Sequence, residues 1–171
     1  MTTTPPHTRD ERGFTLIEVL VVVMIIAILI AIAVPTFLGA RGRAEDRAAQ
    51  ADVRTAYSAA RTAFTDQQSY AKLGSGAALT TAMAGIEPAL TWTTTGSAGK
   101  RTISVFTSTS THGPAGVLGL AELSGTNKCF ELFDDPDNAT APQYAYMSGS
   151  SVTACTAPTA PLTAPTGVWA A

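Results

Sequence analysis

The chain has 171 residues and a net charge of -2, from 11 Lys and Arg against 13 Asp and Glu. That length supports one domain with an appendage rather than two, and so few basic residues argue against a protein built to neutralise a nucleic-acid backbone. Apolar residues make up 46% of the chain, but the bulky aliphatics crowd into its first quarter, so the soluble remainder, rich in Ala, Thr, Ser and Gly, has a small core of the kind a crosslink helps.

The first residues are polar, and Arg9 and Arg12 are offset by Asp10 and Glu11. Gly13 and Phe14 follow, then Thr15-Leu16-Ile17-Glu18. From Val19 to Ala40 there is no charged residue. As a helix that run of about 22 residues spans ~33 Å, which matches a hydrocarbon core of ~30 Å. It reads as a transmembrane helix. It is too long for the apolar stretch of a cleaved secretory signal, and Gly39 to Ala44 fit an A-x-A site poorly.

Glu18 is the anomaly in this segment. A charge within a membrane helix costs ~2.5–3.5 kcal/mol at the centre and less near an end. Such a carboxylate asks for a partner, unless it lies at headgroup level and touches water. Cleavage after Gly13 would turn Phe14 into a charged amino terminus about one helical turn away. Gly13 lacks a Cβ, so its backbone fits a tight cleft. Pro35 removes one helical hydrogen bond and predicts a kink. Gly39 and Gly42 weaken the helix just beyond it.

This arrangement resembles the processing motif of type IV pilins and pseudopilins: a short polar leader, Gly13, Phe14, Glu18 four residues on, then an unbroken apolar helix. The motif likeness covers roughly residues 9–40. It implies cleavage after Gly13 by a membrane peptidase and N-methylation of Phe14. It implies that Glu18 pairs with the amine of a neighbouring subunit and sets axial register, and that Pro35 is the helix-bending proline. The side chains Arg41, Arg43 and Arg47 beyond the run slightly favour the opposite orientation by the positive-inside rule. The cleavage motif sets the orientation adopted here.

Past the apolar run the helix is expected to continue to about Asp66. Val53, Tyr57, Ala60 and Phe64 form a stripe at helical spacing, and Arg47, Arg54 and Arg61 form a heptad-spaced row on another face. Tyr70 to Leu79 reads as a loop. Ala89 to Thr95 reads as a short strand with Leu90 and Trp92, and Gly96 to Gly99 as a hairpin turn. Arg101 to Ser108 follows as a strand with Ile103 and Val105 on one face. Lys128 to Phe133 is a strand with Phe130 and Leu132 on one face and Cys129 and Phe133 on the other. Gln143 to Met147 is the last strand, with Tyr144 and Tyr146 aligned.

The fold class is therefore α+β: a long N-terminal helix, half transmembrane and half amphipathic, packed on a small antiparallel sheet, an architecture similar to that of pilins. The expected parts are a leader at 1–13, a transmembrane and assembly helix at 14–40, and a globular domain at 41–171. The last divides into an amphipathic helix at 41–66, the sheet at ~89–155 and a Thr/Pro-rich tail at 156–171. In that tail Thr156 to Gly167 reads as extended and polyproline-like, and Val168 and Trp169 are candidates to dock on the sheet.

Cys129 and Cys155 enclose about 25 residues. Outside the cytoplasm their expected state is a disulfide, worth ~3–4 kcal/mol in the chain-entropy model, and the resemblance points the same way. Unpaired buried thiols are the alternative. A metal site is not supported, because His7 and His112 are far from both cysteines and from each other. Asp134-Asp135-Pro136-Asp137-Asn138 reads as a solvated turn, with Ca2+ ligation as the alternative. Asn138-Ala139-Thr140 is a glycosylation sequon by pattern.

No nucleophile–base pair, phosphate loop or HExxH motif is found, so no enzyme activity and no cofactor are expected. The resemblance implies a structural subunit of a type IV pilus that serves adhesion, motility or DNA uptake. Its partners would be other pilin subunits, the prepilin peptidase, and an assembly platform with its ATPases. It would sit in the cytoplasmic membrane as a single-pass precursor and then in an extracellular filament. The alternatives are a pseudopilin of a secretion or competence system and a single-pass membrane protein that binds a ligand and does not polymerise.

Overall fold

A computed structural model describes residues 13–138, 142–148, 155–162 and 167–169. Helix α1 spans Leu16–Gln67. A 3-10 turn at Ala71–Leu73 and a second helix, α2, at Gly76–Ile86 follow. Five strands complete the fold: β1 (Thr91–Thr93), β2 (Thr102–Ser108), β3 (Val117–Leu123), β4 (Lys128–Asp134) and β5 (Gln143–Ser148). Contacts cluster into two units that part between Ala40 and Arg41, and each is described by itself.

In the first unit the helical segment leaves its large apolar side chains exposed, among them Leu20, Ile25, Leu29 and Phe37. It is apolar enough over its length to cross a membrane. Pro35 lies within α1 and supplies no N–H. Next to it the Thr36 hydroxyl donates to the Ala33 carbonyl at 2.8 Å.

In the second unit the remainder of α1 buries Ala49, Val53, Ala56, Ala59, Ala60 and Ala63. Alanine favours helix and lets a partner layer approach closely. Tyr57 and Phe64 pack at the margin of the same core. The expected Val53–Phe64 stripe is therefore the packed face, widened by alanines. Opposite it lie Ile103 and Val105 of β2, Leu118 and Leu120 of β3, and Phe130 and Leu132 of β4, which alternate along their strands.

The sheet order is β1-β2-β3-β4-β5. The pairs from β2 to β5 are antiparallel, with Leu120 opposite Leu132 and Leu132 opposite Tyr144.

Four sequence expectations are corrected. Tyr70 to Leu79 is not a loop: it holds the 3-10 turn and the start of α2, whose Leu79 and Met83 are core residues. Gly96 to Gly99 does not turn a hairpin, because β1 and β2 are parallel. The intervening backbone is engaged elsewhere: Ser97 N–H donates to the Cys155 carbonyl at 2.7 Å, and Leu123 N–H donates to Ser97 Oγ at 3.0 Å. The central strand β3 was not anticipated. Finally, Trp169 docks on the sheet but Val168 does not. Trp169 is buried and its indole N–H reaches the Ala145 carbonyl at 2.7 Å, whereas Val168 is 77% exposed.

Candidate functional site: the N-terminal segment and the surfaces of the domain

Gly13 and Phe14 precede α1, and among the described residues nothing lies within 4 Å of where a Gly13 Cβ would be. Phe14 is 81% exposed. Thr15 caps the helix: Glu18 N–H donates to Thr15 Oγ1 at 3.3 Å, and the Thr15 hydroxyl lies 3.4 Å from Glu18 Oε2. This is the capping-box spacing, Ser or Thr followed three residues later by Glu. A carboxylate there also meets the positive end of the helix dipole. Glu18 thus has a local role besides any intersubunit one, and Thr15-Leu16-Ile17-Glu18 was its signal in the sequence. Residues 1–12 of the leader expected at 1–13 lie outside the described residues.

Residues 8–34 match the family described as the prokaryotic N-terminal methylation motif. The match is confined to that segment. The chain is also 40% identical over 59 residues to the type IV major pilin protein PilA of Myxococcus xanthus (strain DK1622). That match covers 34% of this chain and 27% of the relative. No solved structure matches.

The second unit carries the disulfide between Cys129 and Cys155, whose Cα atoms are 5.3 Å apart. Both cysteines are fully buried. The bond tacks the start of the tail onto the outer face of β4. From there Ala157 N–H donates to Ser104 Oγ and Leu162 N–H to Gln143 Oε1, so the tail crosses the sheet.

The acidic stretch after β4 is not a solvated turn. Asp134 and Asp135 are buried. Asp134 Oδ2 accepts from Tyr70 at 2.8 Å and from Tyr57 at 3.2 Å, and Arg61 lies 3.9 Å away. Asp135 takes the Ser110 hydroxyl and faces His112 Nδ1 at 2.8 Å. Asp137 accepts the Ala115 N–H. These carboxylates organise loops, and among the described residues no group of three or more His, Cys, Asp or Glu is placed to hold a metal. The sequon lies partly outside the described residues, at 139–140.

At the other end of the packed helix, Asp46 accepts from Lys128 Nζ at 2.6 Å, from Ser124 at 3.0 Å and from the Thr126 hydroxyl. Burial opposes its ionisation, but these hydrogen bonds outweigh it and hold its carboxyl below the usual range. One α1 side chain thereby fixes the β3–β4 turn.

Proposed function

We propose that this chain is a structural subunit of a type IV pilus. The reading rests on one observation: the methylation motif, at residues 8–34, runs into the first part of a helix whose large apolar side chains lie exposed. Such a surface asks for lipid or for the same surface on neighbouring helices. In this reading a peptidase cuts after Gly13, Phe14 is N-methylated, and residues 14–40 hold the precursor in the membrane. Subunits then exchange lipid for one another's helices. Glu18, released from a purely local role, pairs with a neighbouring Phe14 amine and sets the stagger, and Pro35 adapts the helix to its neighbours. The domain of residues 41–171 faces outward, and separate ATPases power extension.

The test is intact mass with N-terminal sequencing of protein from its native cells, followed by filament purification. A chain starting at Phe14 with one added methyl group, recovered in sheared filaments, supports the proposal. Processed chain that never enters a surface filament points to a pseudopilin. A chain that keeps residues 1–13 overturns the reading in favour of a membrane-anchored binding protein.

A further inference from the structure

Between α1 and the sheet, on the side of β3, lies a cavity of about 410 Å³ lined by Ala48, Ala49, Asp52, Lys100, Arg101 and Glu122, among others. Glu122 is only 1% exposed. Its Oε1 accepts the Arg101 N–H at 2.8 Å. Its Oε2 is buried with no hydrogen-bond partner among the described residues. Leaving a buried carboxyl oxygen unmatched costs about 1–3 kcal/mol or more, and native folds keep such groups where something meets them. The chain's own nearby ammonium does not: Lys100 Nζ is held by Glu45 at 3.1 Å. The Arg101 Nε is turned to the Ala89 carbonyl at 3.1 Å.

We propose that this cavity is a binding site for a small ligand bearing a primary ammonium group, which donates to Glu122 Oε2 and to the Asp52 carboxylate. Both carboxyls line the cavity with Arg101: Asp52 disfavours the charge on Glu122, while the Arg101 guanidinium favours the charge on both without hydrogen-bonding Glu122 Oε2. An ammonium brings three N–H donors and a single charge. A divalent cation fits less well. It asks for six or more oxygen ligands, and among the described residues no three His, Cys, Asp or Glu are placed to hold a metal, although Glu45 lines the cavity beside Asp52 and Glu122. Small side chains leave the room: Ala48, Ala49 and Ala51 are among the lining residues. The site lies wholly within residues 45–124 and does not depend on filament assembly.

The experiment is titration of the full-length chain, in detergent micelles at pH 8, with methylammonium chloride. The 13C shifts of the Glu122 and Asp52 carboxyls and the protons released are followed. Tetramethylammonium chloride, which has the charge but no N–H, is the control at equal ionic strength. The expected result is saturable binding of methylammonium with proton release, no binding of tetramethylammonium, and at least tenfold weaker binding in Glu122→Gln and in Asp52→Asn. Asp52 is partly exposed, so its variant keeps the test open should the Glu122 variant fail to fold. No saturable change, an equal response to tetramethylammonium, or unaltered binding in the variants overturns the proposal and leaves the cavity to water.

Discussion

The phenol of Tyr70 donates to Oδ2 of Asp134 at 2.8 Å across 64 positions of sequence. This bond joins the chain just after α1 to the end of β4, and Tyr57 of α1 shares the same oxygen. Burial and the neighbouring Asp134 charge push both phenols well above their ordinary value, so they remain donors throughout the working range. Removing one partner leaves the other unmatched. Tyr70→Phe should lower stability by ~1–2 kcal/mol, and Asp134→Ala by more, since it strands the buried Tyr70 hydroxyl and the half-buried Tyr57 hydroxyl together. Urea unfolding of the three proteins checks this. Equal midpoints would show that the network contributes nothing.

How far the sequence disclosed this arrangement depends on the range of the forces involved. The apolar run, the Val53–Phe64 stripe and the alternation in β4 and β5 are local patterns, and each is found as an element. Strand β3 escaped because Val117-Leu118-Gly119-Leu120-Ala121-Glu122-Leu123 carries a glycine, an alanine and a glutamate, and only one β-branched residue. Its central place comes from two neighbours that pair with it. Helix α2 was hidden by glycines at Gly76 and Gly85, although the alanines between them favour helix. The acidic stretch misled for another reason. Carboxylates read as solvated unless the hydroxyls that meet them are known, and Tyr57, Tyr70 and Ser110 come from distant segments. For Glu18 both readings, the processing motif and the capping box, were written in adjacent residues.

The bond between Cys129 and Cys155 closes a sequence separation of 26. A loop of that size restricts the unfolded chain by ~3–4 kcal/mol. Cys129→Ser with Cys155→Ser should lose about that much, less whatever the remaining tail contacts retain. Trp169, edge-on to Tyr144 and Phe130, stays as a second anchor. The loss should therefore appear as a lower urea midpoint with the Trp169 fluorescence environment preserved in the folded state. A double variant as stable as the parent would mean that the crosslink constrains little.

Gly119 sits in mid-sheet where the tail crosses. A Cβ placed there would lie 2.0 Å from the Pro158 carbonyl oxygen, an overlap only backbone movement relieves. Here glycine serves close approach rather than an unusual backbone angle. Gly119→Ala should lift the strap at 155–162 while leaving the core face of β3 intact, because Leu118 and Leu120 point the other way. Hydrogen exchange should rise at Ala157 and Leu162, with stability lower by about 1–3 kcal/mol. Unchanged protection at both amides would show that the tail does not bear on the sheet.

Glu122 and Glu131 give the domain a pH dependence of definite sign. Burial raises Glu122 from 4.5 to about 8, with Asp52 adding to it and the Arg101 N–H opposing it. Burial alone raises Glu131 to about 7; its Oε1 lies 3.7 Å from Cys129 Sγ, which in the disulfide has no proton to donate. Between 4.5 and these values the unfolded chain has released protons that the folded chain still holds. Stability attributable to the two groups is therefore full below pH 4.5 and is lost as pH rises towards 7 and 8. Each contributes a decline of at most ~1.4 kcal/mol per pH unit within its window. Glu122→Gln and Glu131→Gln remove these declines, so their stabilities should gain on the parent from pH 5 to pH 8, and the double variant should gain most. Asp46→Asn tests the opposite sign, because a depressed carboxyl stabilises above its ordinary range and loses that contribution in acid. Urea midpoints at several pH values resolve the matter. Profiles for parent and glutamine variants that run parallel from pH 5 to 8 would mean that these carboxyls ionise in the fold as they do in water.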